Sequence, residues 1–82
     1  MPKEKEEIVI EKATLVAYCS LRKLHVTPFV KDNGRVAFRV KGNVSKTLAE
    51  LQTNPSINVL DYIQRLEAVR SIIFTMKEGG HE

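Results

Sequence analysis

The sequence predicts an α+β fold in which helices pack on one face of a two- or three-stranded antiparallel sheet. A chain of 82 residues has room for one modest core. An Asn-Gly pair at 33–34 separates two runs rich in β-branched and aromatic residues, and a helical apolar pattern follows Asn58. We expect a charged flexible arm at 1–7, a single α+β domain at 8–78 and a flexible tail at 79–82.

The first two elements are a short strand and a helix. Residues 8–10 (Ile-Val-Ile) are β-branched and predict a strand, which joins the sheet either within the chain or across a dimer. Residues 13–23 contain neither Gly nor Pro and end in two bases, which favours a helix. Its apolar side chains cover most of the circumference, so we expect it to be buried on more than one side.

An antiparallel β-hairpin is the clearest local prediction. Asn33-Gly34 is typical of a two-residue type I′ turn, in which both central residues have positive φ. Such a turn pairs Phe29 with Phe38 on the face that packs against the helices. The opposite face then carries two groups, the bases Arg35, Arg39 and Lys41 and the apolar residues Val26, Pro28 and Val30. Pro28 has no N–H to donate, which predicts an edge strand.

A short helix and a long C-terminal helix complete the expected order. Ser45 is predicted to cap a helix over 46–53, and Asn58 a helix that runs to about Lys77 and ends at Gly79-Gly80. The predicted core face of the long helix consists of Val59, Ile63, Leu66 and Ile73, flanked by Tyr62, Val69 and Met76.

Basic residues are concentrated in the middle of the chain. The net charge is +3, and the segment 22–46 contains seven bases against Asp32 alone. The candidate nucleic-acid-binding residues are Arg35, Arg39 and Lys41, extended by Lys31, Arg22 and Lys23. Exposed bases can bind the phosphates of DNA or RNA, or they can simply be a solvated face that discourages aggregation. Since the phenylalanines are predicted to be internal, we do not expect a platform for stacking bases.

Two residues interrupt the pattern of the long helix. Arg70 falls within the apolar arc, where it either forms an ion pair with Glu67 or Glu50 or contacts another subunit. Ile72 falls on the polar side, which favours an interface. The alternative to a nucleic-acid-associated protein is therefore a structural or interaction module. It acts as a homodimer or adaptor through residues 13–23 and the Ile72 side of the last helix.

Enzyme activity and metal binding have no motif to support them. Cys19 is the only cysteine, which excludes an intrachain disulfide, and we interpret it as a buried thiol rather than a nucleophile paired with His25. We expect no enzyme, cofactor, metal or small-molecule substrate. No apolar run approaches the roughly 20 residues of a membrane span. Without disulfides or a signal peptide, the expected location is the cytoplasm.

Three segments carry a resemblance to known sequences. They are the helix around Ala17-Tyr18, the run from Asn33 to Phe38 (NGRVAF), and the last helix with Tyr62-Ile63 and the run from Arg70 to Phe74 (RSIIF). In these the chain resembles a small group of uncharacterised bacterial and phage proteins that share a domain of unknown function. The resemblance implies a compact domain and assigns no activity or functional residue.

Overall fold

The computed structural model describes residues 6–79, which form three helices and a three-stranded antiparallel sheet. The elements are β1 (Glu6–Ile10), α1 (Ala13–Leu21), β2 (His25–Val30), β3 (Val36–Gly42), α2 (Val44–Leu51) and α3 (Val59–Gly79). The strand order is β1-β3-β2, so the third strand is supplied by the same chain. The predicted α+β class is confirmed.

The ends of the domain differ slightly from the prediction. The prediction places Glu6 and Glu7 in the arm and Gly79 in the tail. In the structure Glu6 and Glu7 belong to β1, and Gly79 is the last residue of α3. The remaining residues of the predicted arm and tail, 1–5 and 80–82, lie outside the described residues.

The hairpin reverses through three residues rather than two. The Gly34 N–H donates to the Lys31 carbonyl at 2.9 Å, and the Lys31 N–H donates to the Arg35 carbonyl at 2.7 Å. Within this loop only Gly34 has a positive φ, of 86°. A glycine in the left-handed region after a tight turn is typical of a three-residue hairpin loop. The predicted type I′ turn is therefore wrong, and so is the pairing of Phe29 with Phe38, because Phe29 pairs with Ala37.

This shift of one residue exchanges the two faces of β2, since side chains alternate along a strand. On β3, Val36, Phe38 and Val40 face the helices, as predicted, but on β2 it is Val26, Pro28 and Val30 that join this side, against the prediction. The other side receives His25, Thr27 and Phe29. Strand β2 is an edge strand, as Pro28 predicted.

Helix α1 packs against the sheet, α2 and α3, and α3 also contacts β2 and β3 directly. Its residues from Val16 to Cys19 are all buried, as expected for a helix that is apolar on most sides. The helix ends at Leu21, two residues before the prediction, because Lys23 adopts a left-handed conformation with φ of 68°. The N–H groups of Lys23 and Leu24 turn back to the carbonyls of Ser20 and Cys19, at 2.9 and 3.1 Å.

Helix α2 begins at Val44, so the predicted cap residue Ser45 lies inside the helix. The neighbouring strand β1 supplies the capping group instead. Both carboxylate oxygens of Glu6 accept hydrogen bonds from Ser45, one from its backbone N–H at 2.7 Å and one from its hydroxyl at 2.8 Å. These bonds lower the pKa of the Glu6 carboxyl. The cap was missed because its partner is remote in sequence.

Helix α3 begins as predicted, with the side-chain oxygen of Asn58 accepting the Asp61 N–H at 3.0 Å. Its core face differs from the prediction, because Val59 and Ile63 are exposed. The residues that pack on the core are Tyr62, Leu66, Val69, Ile73 and Met76. The Tyr62 hydroxyl also donates to the Thr14 carbonyl at 3.0 Å, which fixes α3 to α1.

Candidate nucleic-acid interface

The face of the sheet opposite the helices, called here the outer face, carries most of the candidate basic residues. The core residues of α1, α2 and α3 cluster with the β3 residues of the other face, and no helix among residues 6–79 covers this one. Strand register assigns to the outer face Glu7, Val9, His25, Thr27, Phe29, Ala37, Arg39 and Lys41. Lys31 and Arg35 extend it at the hairpin loop.

Arg39 lies at the centre of the outer face and has two partners. Its guanidinium carbon is 4.8 Å from the centroid of the Phe29 ring. Its Nε is 2.8 Å from a carboxylate oxygen of Glu7 on β1. The arginine therefore combines a cation–π contact with an exposed ion pair, and it presents a planar cation beside an aromatic ring.

The two bases at the loop end share one acid. Glu11, which directly follows β1, accepts a hydrogen bond from the Lys31 ammonium and a second from the Arg35 Nε at 3.0 Å. The bond from Lys31, together with the attraction of both bases, lowers the pKa of the Glu11 carboxyl. The Arg35 side chain remains 69% exposed, so a ligand in solution can still reach it.

The opposite end of the outer face contains an open cavity of about 590 Å³. Its lining includes Lys23, His25 and Lys41, with Glu6 and Glu7 on the β1 side. Over the part of the chain that the structure describes, neither Lys23 nor Lys41 forms an ion pair. Glu6 and Glu7 line the same cavity, but Glu6 binds Ser45 and Glu7 binds Arg39, so neither of these two acids pairs with the lysines.

The sixth candidate, Arg22, belongs to the helix layer rather than to the outer face. Its Nε lies 3.1 Å from a carboxylate oxygen of Glu50 on α2 and donates to the Tyr18 hydroxyl at 3.2 Å. The Tyr18 hydroxyl in turn donates to Glu50 at 2.9 Å. These contacts raise the pKa of the Arg22 guanidinium, with the hydrogen bond to Tyr18 as the main cause. Arg22 thus joins α1 to α2.

The two candidate interface residues lie on different sides of α3. Arg70 and Ile72 are both exposed. The expected ion pair of Arg70 with Glu67 or Glu50 is not formed within residues 6–79, and Glu50 binds Arg22 instead. In the segment 13–23, which the alternative places in a contact with another subunit, residues 16–19 are buried inside the fold, whereas Arg22 and Lys23 are exposed.

Cys19 and His25 are separated by the sheet. The Cys19 thiol belongs to the core, and burial raises its pKa, whereas His25 is exposed on the outer face. No cluster of three metal-ligating side chains occurs among the residues described. The described helices include none with the length and apolar character that crossing a membrane requires.

Sequence reasoning missed three residues of this surface, namely Phe29, Glu7 and Glu11. A signal for Phe29 was present, because a three-residue loop places Val26, Pro28 and Val30 on the apolar side of the sheet. Glu7 and Glu11 share a strand face by alternation, but their contact with the bases depends on β1 pairing with β3.

No family model, curated protein or solved structure matches this chain.

Proposed function

We propose that this protein is a small, non-enzymatic, nucleic-acid-associated accessory protein whose outer face binds a single strand. The proposal rests on the placement of Phe29 beside Arg39 on a sheet face that the described helices leave uncovered. Proteins that bind single strands combine backbone-tracking cations with aromatic rings on which bases stack. Phe29 supplies the ring, and Arg39, Lys41, Arg35 and Lys31 supply the cations.

The acids of β1 do not prevent such binding. Exposed ion pairs contribute only about 0–1 kcal/mol, so a phosphate can replace a carboxylate as the partner of a base. The outer face with its loop end carries four Lys or Arg residues against three acids, Glu7, Glu11 and the loop residue Asp32, which leaves one net positive charge. Because the acids compete with phosphates for the bases, they lower the affinity of the outer face for nucleic acid.

The loss of two outer-face arginines is the first test. Binding of a fluorescein-labelled single-stranded oligonucleotide is followed by anisotropy at increasing NaCl, with DNA and RNA measured separately. We expect Arg35→Ala with Arg39→Ala to weaken binding to every sequence. The slope of log affinity against log salt should fall by about 0.7 for each lost phosphate contact. The matched control, Lys46→Ala with Arg65→Ala, removes two bases from the helix layer and should leave the slope unchanged.

Removal of an acid should have the opposite effect on affinity. A gain of affinity cannot result from misfolding, so this variant separates the loss of charge from the loss of the fold. Glu7→Gln removes the ion-pair partner of Arg39, so we expect tighter binding and a steeper salt dependence. If the wild type does not raise the anisotropy of any DNA or RNA oligonucleotide at low salt, the proposal is overturned. An equal loss of binding in the control and test variants also overturns it. A preference for duplex over single strand would contradict the role given to Phe29.

A further inference from the structure

Helix α3 carries two stripes of residues with a seven-residue period. One stripe, from Tyr62 to Met76, packs on the core of its own chain. The other, called here the outer stripe, consists of Leu60, Ile63, Glu67, Arg70, Phe74 and Lys77, at spacings of three and four residues. All six are exposed, with Leu60 at 62%, Ile63 at 42% and Phe74 at 65%. Apolar residues at this spacing are typical of a helix that pairs with another helix.

We propose that the outer stripe binds the same stripe of a second copy of this chain, with the two α3 helices antiparallel about a two-fold axis. Along α3, the axis lies level with Ala68 and Val69, midway between Glu67 and Arg70 of the stripe. Ile63 then faces the partner's Phe74, and Phe74 faces the partner's Ile63. Leu60 lies against the aliphatic stem of the partner's Lys77.

The charges of the stripe select this arrangement. In the antiparallel pair Glu67 faces the partner's Arg70, and Arg70 faces the partner's Glu67, so two ion pairs form at the centre. In a parallel pair in register, Glu67 would face the partner's Glu67 and Arg70 the partner's Arg70, which is repulsive at both positions. Glu67 and Arg70 flank the midpoint of the stripe, so the stripe is complementary to a second copy of itself only in the antiparallel orientation. A two-fold axis perpendicular to the two helices gives this orientation.

The geometry of the rest of the fold allows this contact. The stripe extends over about 25 Å at 1.5 Å per residue. Because α3 lies on the helix side of the sheet, the contact leaves both outer faces accessible and does not depend on the proposed function. A single helix pair lies at the small end of stable interfaces, so the dimer should dissociate on dilution.

The test is the molar mass of the full chain over a concentration series, measured by sedimentation velocity. The wild type should shift from its 9.3 kDa monomer towards twice that mass as concentration rises. Phe74→Glu should raise the dissociation constant at least about tenfold, because it places an acid opposite an apolar side chain. The matched control is Ile72→Glu, at an exposed apolar residue on the other side of α3. It should leave the dissociation constant unchanged.

A charge swap distinguishes this arrangement from any other association. Glu67→Arg alone and Arg70→Glu alone should each weaken the dimer, because each creates like-charged neighbours across the axis. The two substitutions together should restore it. A monomer at every concentration overturns the proposal. The proposal is also overturned if Ile72→Glu raises the dissociation constant more than Phe74→Glu does. It is likewise overturned if the double variant does not restore association. Far-UV circular dichroism checks that each variant is folded.

Discussion

Phe29 and Arg39 are diagonal neighbours on β2 and β3, and the guanidinium carbon of Arg39 lies 4.8 Å from the centroid of the Phe29 ring. Diagonal pairs of this kind lie within reach of long and aromatic side chains on one face of a sheet. The contact shows that the aromatic ring and the cation share the outer face. It is the relationship from which the proposed function starts.

The contribution of the ring can be separated from that of the charges. Phe29→Leu keeps an apolar side chain but removes the aromatic face, so we expect affinity for a single-stranded oligonucleotide to fall about 5- to 100-fold. The salt dependence should not change, because no charge is lost. Phe74→Leu, the same substitution on α3, is the control, and at concentrations where the chain is monomeric it should bind as the wild type does. Unchanged affinity of Phe29→Leu would remove stacking from the proposal.

Acidification should weaken the fold partly through Glu11. The bases Lys31 and Arg35 lower the pKa of this carboxyl in the folded state. Their contribution to stability is therefore complete above the unfolded pKa of about 4.3 and is lost as the pH falls through the lower, folded pKa. We expect the urea midpoint of the wild type to fall over this range more than that of Glu11→Gln. Parallel curves for the two proteins would show that the ion pairs do not stabilise the fold.

Two glycines with positive φ should respond differently to Ala. Gly34, with φ of 86°, has open space around it, so Gly34→Ala should cost only the backbone strain of about 1–2 kcal/mol. At Gly42, with φ of 131°, an added Cβ lies 2.8 Å from Leu24 Cδ2. Because a φ near 131° is adopted almost only by glycine and the end of the Leu24 side chain must also shift, Gly42→Ala should cost about 2–4 kcal/mol. Chemical denaturation measures both, and equal losses would contradict the close contact with Leu24.

Lys23 offers a substitution that should stabilise the protein. Its φ of 68° lies in the left-handed region, where helix C-termini usually have glycine. Lys23→Gly relieves the strain but adds entropy to the unfolded chain, so we expect a net gain of about 0.5–1 kcal/mol. Ser20→Gly, inside α1, should instead destabilise it by about 0.5–1 kcal/mol. Thermal unfolding compares the two variants. A lower stability of Lys23→Gly would show that the Lys23 side chain stabilises the fold by more than its backbone strain costs.

Elements defined by local interactions followed from the sequence. The side chain of Asn58 caps α3 through Asp61, three residues along the chain, and the apolar surface of α1 predicted its buried position. Pro28 predicted an edge strand because the missing N–H is a property of the residue itself. Such features require only propensities and periodicities, which act over a few residues.

The register of the hairpin was predicted incorrectly although the residues carried the information. Asp32-Asn33-Gly34 suits a three-residue loop as well as Asn33-Gly34 suits a two-residue loop. The two loops differ by one residue and so place Phe29 on opposite faces of the sheet. Agreement among all apolar residues of both strands, rather than the turn motif alone, distinguishes the two registers.

Composition and short-range patterns are enough to specify the α+β class, the helices and strands and the clustering of basic residues. The surroundings of each base depend on the packed fold, since Glu7 and Glu11 meet Arg39 and Arg35 through strand pairing between distant segments. The packed fold also decides which stripe of α3 is buried, because that choice depends on how α1 and the sheet pack against the helix.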